Sequence, residues 1–598
     1  MNKINTYTLS ILLFTNVCNA NPQDVIEHTE SQISIEMKQT VEVEVSNVAE
    51  DYNNSRSTPL ARHEDYLYWV YVAKNEESTP TEYFIQLHQI SIPENRETSS
   101  YSKISHDFIN NYGETNHELR VFDGTGQTPL LDKNHTAPSV GVDKEGYIHV
   151  VGGVHHSQWE YCISKNPNDI SEFECPTENT MAERLPPNSR PSYPRFIKHP
   201  NGSLYLTYRG KFSAYWYNGT SYGALALYDE PSRTWTALGG NNYTLGNLLD
   251  QQAEPEEKAE NFDETGHFTL PIAPKWLSGG SSLPETQTSL FYSATGAYHR
   301  YYREPNTGIK DENHDYNNVK HAYQAYWTDI KIGLDGRIHA AAVVKHSPIY
   351  DINDDGADNE ILRIVQGSEP TDPEYQYTEK SYVNNYDHAS SILYAYSDDN
   401  GKTFHAPNGD ILDTPISPEP LSPLYGVENL RSASIENGAI VYTNKSATIK
   451  NKLSYKLDIA LPNNENPIIH FREYVSNGNA GPFLKGKQWI DNNWKTIENN
   501  RIKGAAGGIT SDGTGTLWAF ESYNSNEETI PLEPTSSGNK ILYSKSGIEG
   551  PWEEIESEWS NGLRIDSFSA NTSNVIRYVD MDIQRGGTAR IISISTSK

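Results

Sequence analysis

The sequence predicts an all-β fold, a β-propeller of repeated four-stranded blades. Three observations carry that prediction. No helix-length amphipathic period persists along the 598 residues, while short alternating strands bounded by turn residues recur throughout. A degenerate unit, a glycine-containing polar turn followed by an alternating strand, appears at Asp143-Lys-Glu-Gly-Tyr-Ile-His-Val, His199-Pro-Asn-Gly-Ser-Leu-Tyr-Leu, Leu334-Asp-Gly-Arg-Ile-His-Ala and Asp512-Gly-Thr-Gly-Thr-Leu-Trp-Ala. A fifth variant is Glu436-Asn-Gly-Ala-Ile-Val-Tyr. The third observation is Ser397-Asp-Asp399-Asn-Gly401-Lys-Thr403-Phe404, the S-x-D-x-G-x-T-aromatic hairpin called an Asp box, common in sialidase-like propellers. Its aspartate is expected to tie its own turn rather than to catalyse.

Along the chain, Met1-Asn-Lys3, the apolar run Tyr7–Val17 and Cys18-Asn19-Ala20 read as a secretory signal over 1–20. The run is too short to span a bilayer, and no later segment approaches a span. The expectation is an exported protein, extracellular or periplasmic. Residues 21–598 form one catalytic domain. Its first stretch, Asn21 to Asn54, is acidic and extended, and a strand there is placed to close the ring with the C-terminal blade. The turn glycines are unevenly spaced (202 − 146 = 56, but 336 − 202 = 134), so long insertions interrupt the blades. Two polar stretches, about 239–318 and 351–386, are those insertions, the first a surface wall without clear strands.

Net charge is −31. That acidity argues against nucleic acid, which needs a basic footprint, and suits a soluble exported monomer. Arg195, Arg209, Lys211, Arg303 and Arg337 are candidates for a local basic groove inside the acidic shell. With Cys18 in the signal, Cys162 and Cys175 remain, and an oxidising compartment favours a disulfide between them. Asp351-x-Asn353-x-Asp355-Gly356 resembles the opening of a calcium loop, though without the glutamate at its twelfth position. Calcium there would be structural; the chemistry below requires no cofactor.

Within one hundred residues the chain places His135, the pair His155-His156, Tyr193 and Arg209 among short predicted hairpins. Histidine titrates near neutrality, tyrosine can pass a proton, and arginine grips a carboxylate with two donors. Such a set can remove a proton beside a carboxylate, which points to an eliminase acting on an acidic sugar. His149, His339 and His117 read as hydrogen-bonded structural histidines.

Asn134-His135-x-x-Pro138, Asp143-x-x-Gly-Tyr-Ile-His, His155-His156, Tyr161-x-x-Ser164 and Tyr193-Pro with Arg209 together resemble the BNR-repeat polysaccharide lyases that cleave ulvan, nearest to family 24 with family 25 next. The resemblance is dense from Asp132 to Arg209 and patchy through Ala322 to Phe404. It implies a seven-bladed propeller with a canyon across one face. It also implies β-elimination between sulfated rhamnose and a uronic acid, leaving unsaturated uronate ends. Carried over by motif, His135, His156, Tyr193 and Arg209 are the catalytic positions, Arg209 neutralising the carboxylate. Asn134, His155, Lys211, Arg303 and Tyr323 fall in the substrate groove. Two alternatives stay open inside that mapping: His155 for His156, and Tyr326 for Tyr323. Two other functions compete, a sialidase-like hydrolase suggested by the Asp box and a noncatalytic carbohydrate-binding propeller.

Overall fold

A computed structural model of the chain describes residues 5–7, 37–46, 48, 57–75, 82–91, 103–107, 137–152, 159–175, 184–186, 191–211, 221–243, 267–268, 286–291, 301–302, 322–347, 350–351, 361–362, 388–416, 433–443, 451–462, 466–475, 483–498, 508–512, 516–521, 540–544, 552–556, 561–565, 575–582 and 588–596. Seven antiparallel sheets stand in a ring, a seven-bladed β-propeller. Blade 1 runs through Leu60–His63, Tyr66–Asn75, Glu82–Ser91 and Lys103–Asp107. Blade 2 has Ser139–Val142, Ile148–Val151, Tyr161–Ser164 and Phe173–Glu174. Blade 3 has Ser192–Lys198, Leu204–Lys211, Ser221–Asp229 and Thr234–Leu238. Blade 4 uses Ala322–Ile332, Ile338–Ser347, His388–Ser397 and Ile440–Thr443. Blades 5 and 6 begin at Asn451–Ala460 and Gly508–Ser511. Blade 7 takes Asn561–Ile565, Val575–Asp582 and Thr588–Thr596 from the C-terminus, and its outer strand, Met37–Val45, from the N-terminal arm. That last pairing, Met37 with Thr596 through Val45 with Ala589, closes the ring and leaves no open edge between first and last blade.

The repeated unit has a structural cause. In each, the backbone N–H of the first turn residue bonds the carbonyl four residues on: Asp143 to Tyr147, His199 to Ser203, Gly333 to Arg337 and Asp512 to Thr516. Gly146, Gly202 and Gly336 take φ of +92, +94 and +85°, which a Cβ would strain. Six residues after each turn start, a large ring enters the blade: His149, Tyr205, His339 and Trp518, all buried. His149 meets the Tyr161 hydroxyl through Nδ1 at 2.7 Å and Asp143 through Nε2 at 3.3 Å. His339 meets Tyr394 at 2.7 Å. Burial pushes both imidazoles below the usual histidine pKa, His339 to about 4. Both are therefore structural, as expected.

The apolar core is a chain of clusters lodged between neighbouring blades. One joins blades 1 to 3 through Val70, Val150, Phe196 and Leu206. Others join blades 3 and 4, 4 and 5, 5 and 6, 6 and 7, and 7 and 1. Alternation along each strand supplies both faces. The disulfide Cys162–Cys175 forms. Phe173 pairs with Ser164 and Glu174 with Ile163, so the same register brings Cys175 opposite Cys162 at the blade edge.

The first insertion departs from expectation. It carries short strands, Gly240–Tyr243 paired with Thr286–Ser289 and His267–Phe268 paired with Tyr301–Tyr302. It is also not wholly a surface wall, because Leu290 and Phe291 are 0% exposed and complete the core between blades 3 and 4. Both backbone N–H groups donate to the Gly223 carbonyl, at 2.9 and 3.1 Å. A Cβ on Gly223 would overlap the Thr328 hydroxyl and crowd the Phe291 ring at 3.3 Å, so the bare backbone admits both neighbours.

Candidate active site

Strand direction fixes which positions share an end of the propeller. In every blade the first and third strands start, and the second and fourth strands end, on one side. Blade-to-blade connections and second-to-third connections leave from that side, called here the site end. The glycine turns and the Asp box lie on the other, the turn end. Tyr193 stands at the start of the first strand of blade 3, and Arg209 and Lys211 at the end of its second. Tyr323 begins the first strand of blade 4. His155-His156 follow Ile148–Val151 and Asn134-His135 precede Ser139–Val142, so the flanking strand ends are on the site end; Arg303 follows the short insertion strand Tyr301–Tyr302. Asn134, His135, His155, His156, Arg303, Asn353 and Asp355 themselves lie outside the described residues. Lys211, Tyr323 and Asp351 are placed by their strands, without described side chains.

The described centre is Arg209. It pairs with Ser192, after which the ladder slips by a bulge before Arg195. Tyr193 sits in that bulge at φ +55°, ahead of Pro194. A left-handed non-glycine residue costs on the order of 1–3 kcal/mol, and a following proline disfavours it further. The conformation is held by its neighbours. The Pro194 carbonyl accepts from the Ser139 hydroxyl at 2.6 Å, and that hydroxyl accepts from the Thr58 N–H at 2.9 Å. Blades 1, 2 and 3 are thus laced at their inner strands.

Opposite, the blade 4 ladder slips between Ala325 and Trp327, so Tyr326 is the extra residue of a second bulge. Bulges re-aim side chains, and these two aim their rings at one guanidinium. The Arg209 guanidinium carbon lies 4.5 Å from the Tyr193 ring centre and 4.6 Å from that of Tyr326. Arg209 is only 5% exposed. Burial works against its charge, yet the two phenol groups outweigh burial and its pKa is raised. Of the expected residues, the structure brings Tyr193 and Arg209 together with Tyr326, the alternative to Tyr323. Tyr208, the preceding residue, points the other way, meeting Trp159 edge-on at 4.9 Å.

The basic-groove expectation needs correction at two positions. Arg195 donates to Asp329 at 2.8 Å and to the Thr328 carbonyl, joining blades 3 and 4. Asp329 also accepts the Ile459 N–H at 2.9 Å, which adds blade 5 to the brace. Arg337 forms a two-point pair with Asp398 at 2.6 and 2.9 Å, at the turn end. Each arginine had a carboxylate brought to it by folding, which charge counting along the chain does not show. In the Asp box, Asp399 accepts from Lys402 and Thr403 N–H at 3.0 and 2.9 Å and from the Thr403 hydroxyl at 2.7 Å. Despite some burial, these donors hold its carboxyl down at about 2.

One titratable group was not singled out from sequence. Glu160 lies just before the third strand of blade 2, at the site end, beside Gly152 and Ile85. Its carbonyl accepts the Gly152 N–H at 2.7 Å, so the two residues clamp the base of the connection carrying His155-His156. Burial raises its carboxyl to about 7. The only hint in the sequence is an acid set between Trp159 and Tyr161. Among the described residues no group of three or more His, Cys, Asp or Glu is arranged to hold a metal.

Fold and site define a seven-bladed propeller with a buried arginine clasped by two bulge tyrosines at one end. Residues 96–501 match the model of the BNR repeat-containing family, and the chain belongs to that family. Over 120 residues the chain is 30% identical to an ulvan lyase of Nonlabens ulvanivorans, a match covering 16% of this chain. The chain spans about a quarter, 24%, of that relative's length. In structure it resembles the polysaccharide lyase Uly1, with a TM-score of 0.50 and 10% identity over 91% of this chain and 92% of the other. That likeness is one of fold.

Proposed function

We propose that this protein is a secreted polysaccharide lyase that cleaves ulvan by β-elimination between sulfated rhamnose and a uronic acid. The observation that carries the reading is Arg209 held between Tyr193 and Tyr326, at the end of the propeller from which the blade-to-blade connections leave. The partial identity to an ulvan lyase supports the choice of polymer.

The chemistry follows from charge. Removing the C5 proton next to a uronate builds a dianionic enolate, and a cation at the carboxylate lowers that cost. Arg209 supplies the cation and presents planar donors suited to two oxygens. Tyr193 and His156 handle the two protons, one taken from C5 and one given to the C4 oxygen, with His135 in support. A neutral imidazole is the easier base near neutral pH, and a phenol the easier acid. Arg209 also stabilises negative charge developing on Tyr193 when that hydroxyl gives up its proton. Asn134, His155, Lys211, Arg303 and Tyr323 line the polymer track in this reading, with Tyr326 as the wall over Arg209. Calcium at Asp351, Asn353 and Asp355 would steady the blade 4 insertion without touching the reaction. Export rests on the segment 1–20. Among the described residues no helix is long and apolar enough to cross a membrane.

The hydrolase alternative was prompted by the Asp box, whose Asp399 is occupied by its own turn. A noncatalytic binder would hold the polymer at full length. Incubation with ulvan and with unsulfated uronic-acid polymers, read by ultraviolet absorbance and fragment mass, separates the three. The lyase gives absorbing fragments, each pair summing to the parent mass. Fragments that gain water without absorbance would contradict it, as would intact polymer.

A further inference from the structure

At the turn end, on the outer edge between blades 2 and 3, two guanidiniums converge on one carboxylate. Arg184 donates to Glu174 through Nη2, and Arg233 Nη1 stands 3.9 Å from the other oxygen of the same group. Arg233 also lies 5.0 Å over the Tyr147 ring. The next carboxylate, Asp143, is already engaged by the Tyr147 N–H at 2.8 Å and by His149 at 3.3 Å. Three guanidinium donors, Arg184 Nη1 and Arg233 Nε and Nη2, are shielded from solvent without a well-formed hydrogen bond, and the Tyr228 hydroxyl is a neighbour that interacts with Arg233.

Shielded donors without acceptors are rare in folded proteins, and each asks for a missing partner. The side chains remain partly open, Arg184 at 23% and Arg233 at 34%, so an anion can approach their exposed edges and meet the shielded donors by displacing Glu174. The donors come from two separate forks. Glu174 divides its two oxygens between the forks and leaves the remaining donors unmet, whereas a tetrahedral oxyanion offers further acceptors to both. The blade edge is tethered there, since Cys175 next to Glu174 is disulfide-bonded to Cys162.

We propose that Arg184 and Arg233 form an oxyanion site, distinct from the Arg209 site, that binds sulfate either as the free ion or as a sugar ester. Glu174 competes with that anion for the same donors and sets its affinity. The site does not depend on the lyase reading. It is measured by binding alone, so its failure would leave the proposed reaction untouched.

The test is titration of the full chain with sodium sulfate, ionic strength held constant with sodium chloride, followed by Tm and tryptophan fluorescence. Wild type shows a saturable response. Arg233→Gln and Arg184→Gln bind about tenfold or more weakly, as expected for loss of a charged hydrogen-bond donor, while Glu174→Gln binds more tightly. The opposite sign in Glu174→Gln guards against a trivial effect of damaged arginine variants. A linear, unsaturable rise equal in all four proteins is the general stabilising action of sulfate and overturns the proposal. So does a Glu174→Gln variant no tighter than wild type. Sulfated and chemically desulfated oligosaccharides then identify the source. Binding of the sulfated form alone, lost in Arg233→Gln, assigns the ester; a response to inorganic sulfate only assigns the free ion.

Discussion

At the scale of single residues, the account rests on how environment changes side-chain chemistry. Arg209→Lys keeps the charge but loses the planar fork and its stacking between Tyr193 and Tyr326. It should lower kcat by roughly 10²-fold with little change in Tm, the scale of one lost preorganised donor; steady-state rates on ulvan read it. Glu160 makes a pH prediction. Its folded-state carboxyl titrates near 7, above the ordinary carboxylate value. Its contribution to stability is therefore complete below about 4.5 and is lost as pH rises to about 7. Glu160→Gln removes that loss. Its advantage over wild type should grow across this window and then level, at up to about 3 kcal/mol. Urea melts at stepped pH measure it, and a constant difference across pH would be the contrary result. Arg209 and Tyr193 were named through the family resemblance, and the structure sets them side by side because they stand at the open end of one hairpin. Tyr326 could only be weighed against Tyr323, since a bulge in a different blade decides which ring reaches the guanidinium. Glu160 was illegible because its burial comes from Ile85 and Gly152, remote in sequence or bare of side chain.

At the scale of elements, turns and cross-links divide the labour from chemistry. Asp399→Ala should cost stability, about 1–3 kcal/mol for its stranded donors, and leave the rate on ulvan unchanged. Thermal melts and initial rates on the same preparation test both halves. Reducing Cys162–Cys175 should cost roughly 3 kcal/mol on the loop-entropy estimate. The repeated turns were readable because their backbone bonds demand glycine at one fixed place. The ring-closing strand Met37–Val45 was foreseen only in outline, because pairing across the whole chain leaves no local mark. Leu290-Phe291 was missed for a different reason. Two apolar residues in a long polar run carry no period, yet they fill the seam between blades 3 and 4.

At the scale of the whole molecule, a chain of net charge −31 is proposed to act on a polyanion. Unscreened repulsion should slow their meeting. Salt up to about 0.1 M, where the screening length is about 10 Å, should lower KM while leaving kcat unchanged. Steady-state rates at stepped sodium chloride check this, and a KM that climbs from the lowest salt would contradict it. The ring explains how distant segments share one site: alternating strand direction delivers every blade-to-blade connection to the same end. The Arg184–Arg233 pair is separate from that site because both guanidiniums meet at Glu174, on the outer strand of blade 2.

The most direct measurement is the ultraviolet progress curve of ulvan cleavage by wild type and by Tyr193→Phe, with circular dichroism showing both folded. The account predicts steady growth of unsaturated uronate absorbance with wild type and a rate at least about 10²-fold lower for the variant. Equal curves, or wild-type fragments without absorbance, would contradict it.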